Sequence, residues 1–430
     1  HDTLAVKVLA FGDNFLTTQP GAAESADLRW RQAQLAYRHG FDAQAASRFE
    51  AMAAHHPDDS RIPVGLRLRG DALHRSSEFA LAATAYEEAL LAATAAGQDS
   101  LATSLRPLIP TSRYQHAEAV ARAEGELEAA PLFVDLARRH PDFAQADQAL
   151  YRAGLGYLEA GNVDPAIDAF TVILNAHAEG DLSRDAAVQI ARAYDDAGRT
   201  DEAALAYSTF SRRFPTDPDA PSALLRSADL SMEAGNPDRA ASLRDEFLVR
   251  YPDDTEAVME ILEDRARREL EAARAGTSLA RGPELRAYLE LAKTHPELAA
   301  PEILAEVEFR EAEDLRGDYV AIRLTQPLEA SIEAKKHKLE QVLAAYGDCT
   351  AHGVRTFTQA SAFRIGEVLI EFGDALMDSE RPSGLTDDEL FSYDEVLDEQ
   401  SWAFYDRGEQ AWNELLRQNP TGSEDPEGWL

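Results

Sequence analysis

Two imidazoles and two carboxylates fall within five residues at His55-His56 and Asp58-Asp59, the sharpest candidate for a metal site in the chain. The same positions also read as a helix C-terminus, where histidine favours the negative end of the peptide dipole. Sister segments repeat the site as His140-Pro141-Asp142, Phe214-Pro215-Thr216, Tyr251-Pro252-Asp253 and His295-Pro296-Glu297. Because phenylalanine and tyrosine stand in for histidine there, we read the motif as a helix closing and expect no metal. Cys349 with His352 three residues on has the residue types of a nucleophile and its base. No Asn or Asp constellation supports that pair, so a plain buried or turn thiol is expected. Lys335, Lys336, His337 and Lys338 form the one basic run, either a contact point for an acidic partner or, more simply, one solvated helix face. The chain contains no GxxxxGK[ST] loop, GxSxG elbow or HExxH pair. Carboxylate pairs are as frequent as the composition demands and single out no acid/base site. No catalytic residue and no cofactor are expected.

The 430 residues include 42 Lys+Arg against 77 Asp+Glu, a net charge of −35. Such a chain does not track nucleic-acid phosphate by its own charge, so nucleic acid is not an expected partner. Hydrophobic residues at 45% and charged residues at 28% predict a folded chain rather than an acidic polymer. One cysteine excludes an intramolecular disulfide and a cysteine-rich zinc site. No uninterrupted apolar run reaches the roughly 18 residues of a membrane span, so any membrane association is expected to be peripheral or of the lipoprotein type. The sequence starts at His1 rather than Met, and the expectation is that a segment such as a signal peptide precedes it or was left out. The last 60 residues hold 17 acidic and 3 basic side chains, which fits a docking surface for a basic partner or a calcium-tolerant face as well as it fits the charged, soluble end of a repeat stack.

The elements that position these residues are set by a repeat. Small residues recur at Ala45, Ala82, Ala129, Ala166, Ala203 and Ala240, at intervals of 37, 47, 37, 37 and 37. Twelve positions before each stands another small residue: Ala33, Gly70, Ala117, Gly154, Ala191 and Ala228. Four positions after come Phe49, Tyr86, Phe133, Phe170, Tyr207 and, as the exception, Arg244. Pro57, Pro141, Pro215 and Pro252 close four of the units. Between the two small residues lies turn chemistry with a glycine, as in Arg38-His39-Gly40 and Ala197-Gly198-Arg199. Small residues let two antiparallel helices approach, Gly154 opposite Ala166 for instance, and the aromatic then fills the space toward the next hairpin. The interval of 47 places an insertion between Ala96 and Pro110.

This ladder of small, small, aromatic and proline residues resembles the tetratricopeptide repeat (TPR). The 37-residue period with aromatic-Pro-Asp closings, as in Phe214 to Asp254, is similar to bacterial cell-envelope TPR proteins. Among them are the lipoprotein of the outer-membrane barrel-assembly machinery and the accessory protein of the Tol-Pal system. The region from Ile365 to Leu416 resembles the C-terminal part of large TPR proteins of gliding-motility complexes. The resemblance implies an all-α, right-handed α-solenoid of about eighteen helices. Its expected parts are an extended arm over 1–25, about six repeats over 26–254, degenerate hairpins over 255–420 and an acidic tail over 421–430. Strand signals are confined to short pieces such as Leu4 to Phe11. In the C-terminal part we expect helices at Thr255–Ala275, Pro283–Thr294, Pro301–Leu315 and Glu329–Ala345, then a Gly-Asp-Cys-Thr turn, then Phe357–Met377 and Asp387–Arg417.

Solenoids of this kind bind through an inner face built from the first helix of each unit. Positions three before, one after and four after the first small residue are expected to look inward. The candidate partner-binding residues are Trp30, Tyr37, Arg67, Tyr114, Tyr151, Leu155, Arg192 and Met232. Arg67 and Arg192 are too few inward cations for a clamp on a peptide carboxylate. The expected role is a non-catalytic scaffold or adaptor holding several proteins of one bacterial envelope assembly, periplasmic or associated with the outer membrane. The alternatives are a cytoplasmic regulator that captures one peptide or domain, and the solenoid subunit of an enzyme acting on the cell wall.

Overall fold

The computed structural model describes residues 2–176, 180–274 and 282–418, so the tail expected over 421–430 lies outside the described residues. The architecture is an all-α solenoid, with twenty α-helices and no strand among the described residues. Two compact units divide it, His1–Phe247 and Leu248–Leu430.

The first unit opens with α1 (Asp2–Thr18). It continues with the hairpins α2 (Ser25–Arg38) and α3 (Asp42–His55), then α4 (Ile62–Arg75) and α5 (Phe79–Ala95). A short α6 (Asp99–Leu105) occupies the insertion and precedes α7 (Leu108–Ala123) and α8 (Glu126–Arg139). Next come α9 (Ala146–Glu159) with α10 (Val163–Ala176), and α11 (Ser183–Asp196) with α12 (Thr200–Arg213). The last pair is α13 (Ala220–Glu233) and α14 (Pro237–Arg250), the latter crossing the division. From α1 to α13 each helix packs on its neighbours in sequence, with α5 also reaching α7 past α6.

The extended arm and the strand-like piece expected at the N-terminus are corrected by α1. Leu4 to Leu9 alternates weakly, but Ala5, Leu9, Gly12 and Leu16 follow the helical period and are the residues that α1 buries. Gln32 of α2 donates from Nε2 to the Leu9 carbonyl at 2.8 Å, and both Arg48 guanidinium nitrogens meet Asp13 at 2.9 Å, fixing α1 against the first hairpin.

The small-residue ladder is the spine of this unit. Ala33, Ala117, Ala191 and Ala228 of the first helices, and all six alanines of the second helices, have no exposed surface. The glycines show why bulk is excluded: a Cβ on Gly70 would lie 2.5 Å from the ring of Tyr86, and one on Gly154 would lie 2.5 Å from the ring of Phe170. The partner of Gly154 is therefore the aromatic of its own hairpin rather than Ala166, and the ring fills the hairpin instead of the gap beyond it. In the sixth unit Arg244 stands at the aromatic position and meets Asp229 of α13 at 3.2 Å, while Phe247, one turn on, takes up the burial.

Turns and closings repeat just as strictly. Gly40, Gly161, Gly198 and Gly235 lie at φ between +68° and +76°, and Ser77 takes the same place in the α4–α5 turn at φ +64°. Before the closing prolines, His56, His140 and Phe214 share φ near −130° and ψ near +60°, the extended side that a following proline enforces. His295 in the second unit has the same pair of angles, −132° and +64°.

The second unit comprises α15 (Thr255–Arg274), α16 (Pro283–Thr294), a single 3-10 turn at Pro296–Leu298, α17 (Pro301–Ala321), α18 (Leu328–Ala351), α19 (Arg355–Met377) and α20 (Asp387–Gln418). The turn expected at Gly347-Asp348-Cys349-Thr350 is instead the last part of α18. Cys349 and Tyr346 are fully buried there against α17, and that apolar face carries the helix through the glycine. The pairing of small residues with aromatics returns between α19 and α20: a Cβ on Gly366 would enter the Trp412 indole, and one on Gly373 would come within 2.8 Å of the Tyr405 ring. A Cβ on Gly408 would press on the Gly366 carbonyl at 2.9 Å, so backbone there approaches backbone.

Candidate partner-binding face

The face is built by the first helices α2, α4, α7, α9, α11 and α13. The small residue of each points into its hairpin, so side chains on either side of it are carried to the rim of the stack. Trp30 is half-buried edge-on to Phe49, ring centroids 5.8 Å apart, with the Arg61 guanidinium 5.6 Å from its centroid. Tyr37 meets the same Phe49 at 6.4 Å and carries the Arg75 guanidinium over its ring at 4.0 Å.

Asp71 of α4 organises this end of the face. One carboxylate oxygen accepts the Tyr86 hydroxyl at 2.8 Å and the other accepts the Tyr37 hydroxyl at 3.4 Å, with Arg67 Nε 3.8 Å away. Burial, reinforced by the Asp71 carboxylate, pushes the pKa of both phenols above that of a free tyrosine. Arg67 itself remains exposed. His74, edge-on to Phe79 at 5.2 Å, hydrogen-bonds Gln115 of the next first helix. Farther along, Arg152 of α9 reaches Glu118 of α7 at 3.2 Å and Glu126 at 2.8 Å, and Arg226 of α13 reaches Asp195 of α11 at 2.9 Å.

The other candidates divide by burial. Tyr114 is buried, its ring 5.5 Å from Phe133 and 6.1 Å from Phe143, and serves packing rather than contact. Tyr151 stacks edge-on against Phe170 at 5.5 Å and, with Leu155, is half-buried. Arg192 is exposed, as is Met232 at 46% of its surface. The candidates that keep accessible surface are thus Trp30, Tyr37, Arg67, Tyr151, Leu155, Arg192 and Met232.

The remaining sequence candidates lie elsewhere. Asp59 is held by Arg61 through Nε at 2.8 Å and Nη2 at 2.6 Å, which lowers its carboxyl to about 2; His56 Nε2 lies 3.4 Å from the Ser25 hydroxyl. The Cys349 thiol donates to the Ala305 carbonyl at 3.3 Å and burial raises its pKa, while His352 turns to Glu308 at 2.8 Å. Lys335 is not on a solvated face. It is buried, and its ammonium donates at 3.0 Å to the carbonyls of Tyr319 and Ile322, closing the C-terminal end of α17 over the Tyr319 ring. Burial lowers the pKa of this lysine. Lys338 pairs with Asp318 at 3.0 Å.

Two features escaped the sequence reading. One is the Asp71 hub, where Tyr37 of α2 and Tyr86 of α5, at different positions of adjoining units, converge on one carboxylate of α4. The other is a pair of latches between successive units. Arg61, just before α4, reaches back to Asp27 of α2 at 2.8 Å, whereas Arg184 of α11 reaches forward to Asp217 at 2.8 Å and Asp219 at 2.5 Å. The charges are exchanged between the two, so no residue-by-residue repeat reveals them.

A stack of two-helix units with a buried small-residue spine and an open first-helix face defines a helical-hairpin repeat protein. The sequence agrees: residues 148–179 and 188–255 match the family profiles described as tetratricopeptide repeat. These segments of the chain carry tetratricopeptide repeats. No curated protein matches it. Among solved structures it is similar to PilW, a type IV pilus biogenesis factor, at 16% identity and a TM-score of 0.25, covering 54% of this chain and 96% of that one. It is also similar to YrrB, a TPR protein with an unusual peptide-binding site, at 18% identity and a TM-score of 0.24, covering 50% and 97%. A TPR protein from Parabacteroides merdae matches at 17% identity and a TM-score of 0.23, covering 63% and 100%.

Proposed function

We propose that this protein is a non-catalytic scaffold that holds several proteins of one bacterial cell-envelope assembly through the face of α2, α4, α7, α9, α11 and α13. The observation that carries the reading is the register of that face. At three fixed offsets from the buried small residues, the first, second, fifth and sixth units present accessible side chains: Trp30 and Tyr37, Arg67, Arg192, and Met232. Aromatics and arginine are the side chains that dominate protein–protein contact energies. The Asp71 hub and the Arg152 and Arg226 pairs fix the neighbouring helices, so a partner meets a surface already ordered. The envelope setting is supported by the aromatic-Pro-Asp closings, similar to those of envelope TPR proteins. No helix among the described residues is long and apolar enough to cross a membrane.

Crosslinking mass spectrometry on native membrane and soluble fractions tests the proposal, with Arg67→Glu and Arg192→Glu variants alongside. Crosslinks from the first-helix face to several envelope proteins, weakened by about tenfold or more in the double variant, are the expected result. One dominant cytosolic partner would replace the scaffold with a regulator. Loss of cell-wall cleavage by an associated enzyme would replace it with an enzyme subunit.

A further inference from the structure

The second unit carries a groove that the first-helix face does not use. Helices α18 and α20 both pack chiefly on α19, which forms the floor between them. The cavity is about 590 Å³. Buried Phe372, Leu376 and Leu397 form its base, and Ile332, Val396 and Phe404 form its apolar walls. Val396 remains 56% exposed, and Phe391, one turn toward the N-terminus of α20, is 69% exposed. Such side chains on an otherwise strongly polar helix are an unsatisfied apolar surface.

Charge decides what fits. Glu329, Glu333 and Lys336 are the charged residues of the lining. α20 carries ten Asp and Glu against two Arg. A second copy of this chain would bring the same acidic helix against itself, with a net charge of −35 on each molecule. The walls are helices whose backbone groups are bonded internally, so no strand edge is on offer to an extended peptide. The lining of α20 from Tyr393 to Phe404 runs about 17 Å at 1.5 Å per residue, some three turns. We infer that the groove takes one amphipathic helix of a partner protein, apolar residues at i, i+3 or i+4, and i+7 seated on Phe372, Leu376 and Leu397, with lysines or arginines facing Glu329, Glu333 and the acidic side of α20. The docked helix would complete a four-helix layer.

The test uses the full chain and three probe peptides of about 15 residues: an amphipathic Leu/Lys helix, a scramble of the same composition, and an amphipathic Leu/Glu helix. Anisotropy titrations are paired with hydrogen–deuterium exchange. The Leu/Lys helix is expected to bind and to protect residues 328–336 and 393–404. Val396→Lys, at an exposed position that leaves the fold intact, is expected to weaken it by about tenfold or more. Equal binding of the scramble overturns the inference in favour of general charge attraction, and equal binding of the Leu/Glu helix removes the charge argument. Protection confined to the first-helix face, or no binding at all, also overturns it. Concentration-dependent dimerisation abolished by Val396→Lys would assign the groove to a second copy instead.

Discussion

Arg61 contributes through geometry that a sequence motif cannot specify. Its guanidinium binds Asp59 in its own loop and Asp27 one unit back, and the hydrogen bonds it donates lower the Asp59 carboxyl to about 2. Since an unfolded aspartate titrates near 3.9, the unfolded chain binds the extra proton between those values. This part of the stability is present above about pH 4 and is lost as the pH falls toward 2. We expect Tm to fall with acidification through that window, and Arg61→Leu to flatten this component; an unchanged pH slope in the variant would contradict it. The histidines beside this pair were legible as a helix closing because Phe and Tyr replace them in sister units. The destination of Lys335 was not, because a lysine between two other basic residues carries no sign that the Tyr319 and Ile322 carbonyls are waiting for it.

At the scale of the element, the α4–α5 turn departs from its sisters. Gly40, Gly161, Gly198 and Gly235 occupy the left-handed position at no steric cost, whereas Ser77 holds φ +64° with a side chain attached. The turn keeps its sisters' hydrogen bonds, Ser77 N–H to the His74 carbonyl at 3.1 Å and Glu78 N–H to the Leu73 carbonyl at 2.9 Å. Ser77→Gly should therefore stabilise the protein by about 1 kcal/mol, and Ser77→Val should destabilise it by at least as much, both read from chemical denaturation. The helices of the array were legible because their small residues, turns and prolines recur at fixed offsets. Two elements were not. α1 reads as a strand over Leu4 to Phe11 until Gly12 and Leu16 extend the helical period, and α18 continues through Gly347 because Tyr346 and Cys349 are buried on either side of it.

Across the whole molecule, charge is the dominant asymmetry. A net charge of −35 repels itself in the folded chain, and added salt screens that repulsion along with the exposed ion pairs. Exposed pairs contribute little individually, so the net repulsion decides the sign. Raising NaCl from low to physiological strength is expected to raise Tm by roughly 2–4 °C; a fall would show that the inter-unit pairs outweigh the excess charge. The all-α solenoid was legible from the repeat; of the residues its register proposes for a partner, Tyr114 is the one the fold buries, enclosed by Phe133 and Phe143. The groove between α18 and α20 had no such signal, since it arises from two helices that both pack chiefly on α19. In the first unit, each helix from α1 to α13 holds chiefly to its neighbours in sequence. Under tension applied at its ends, that unit therefore has no single structural clasp to break: hairpins peel away one after another, and the array yields like a spring in short steps.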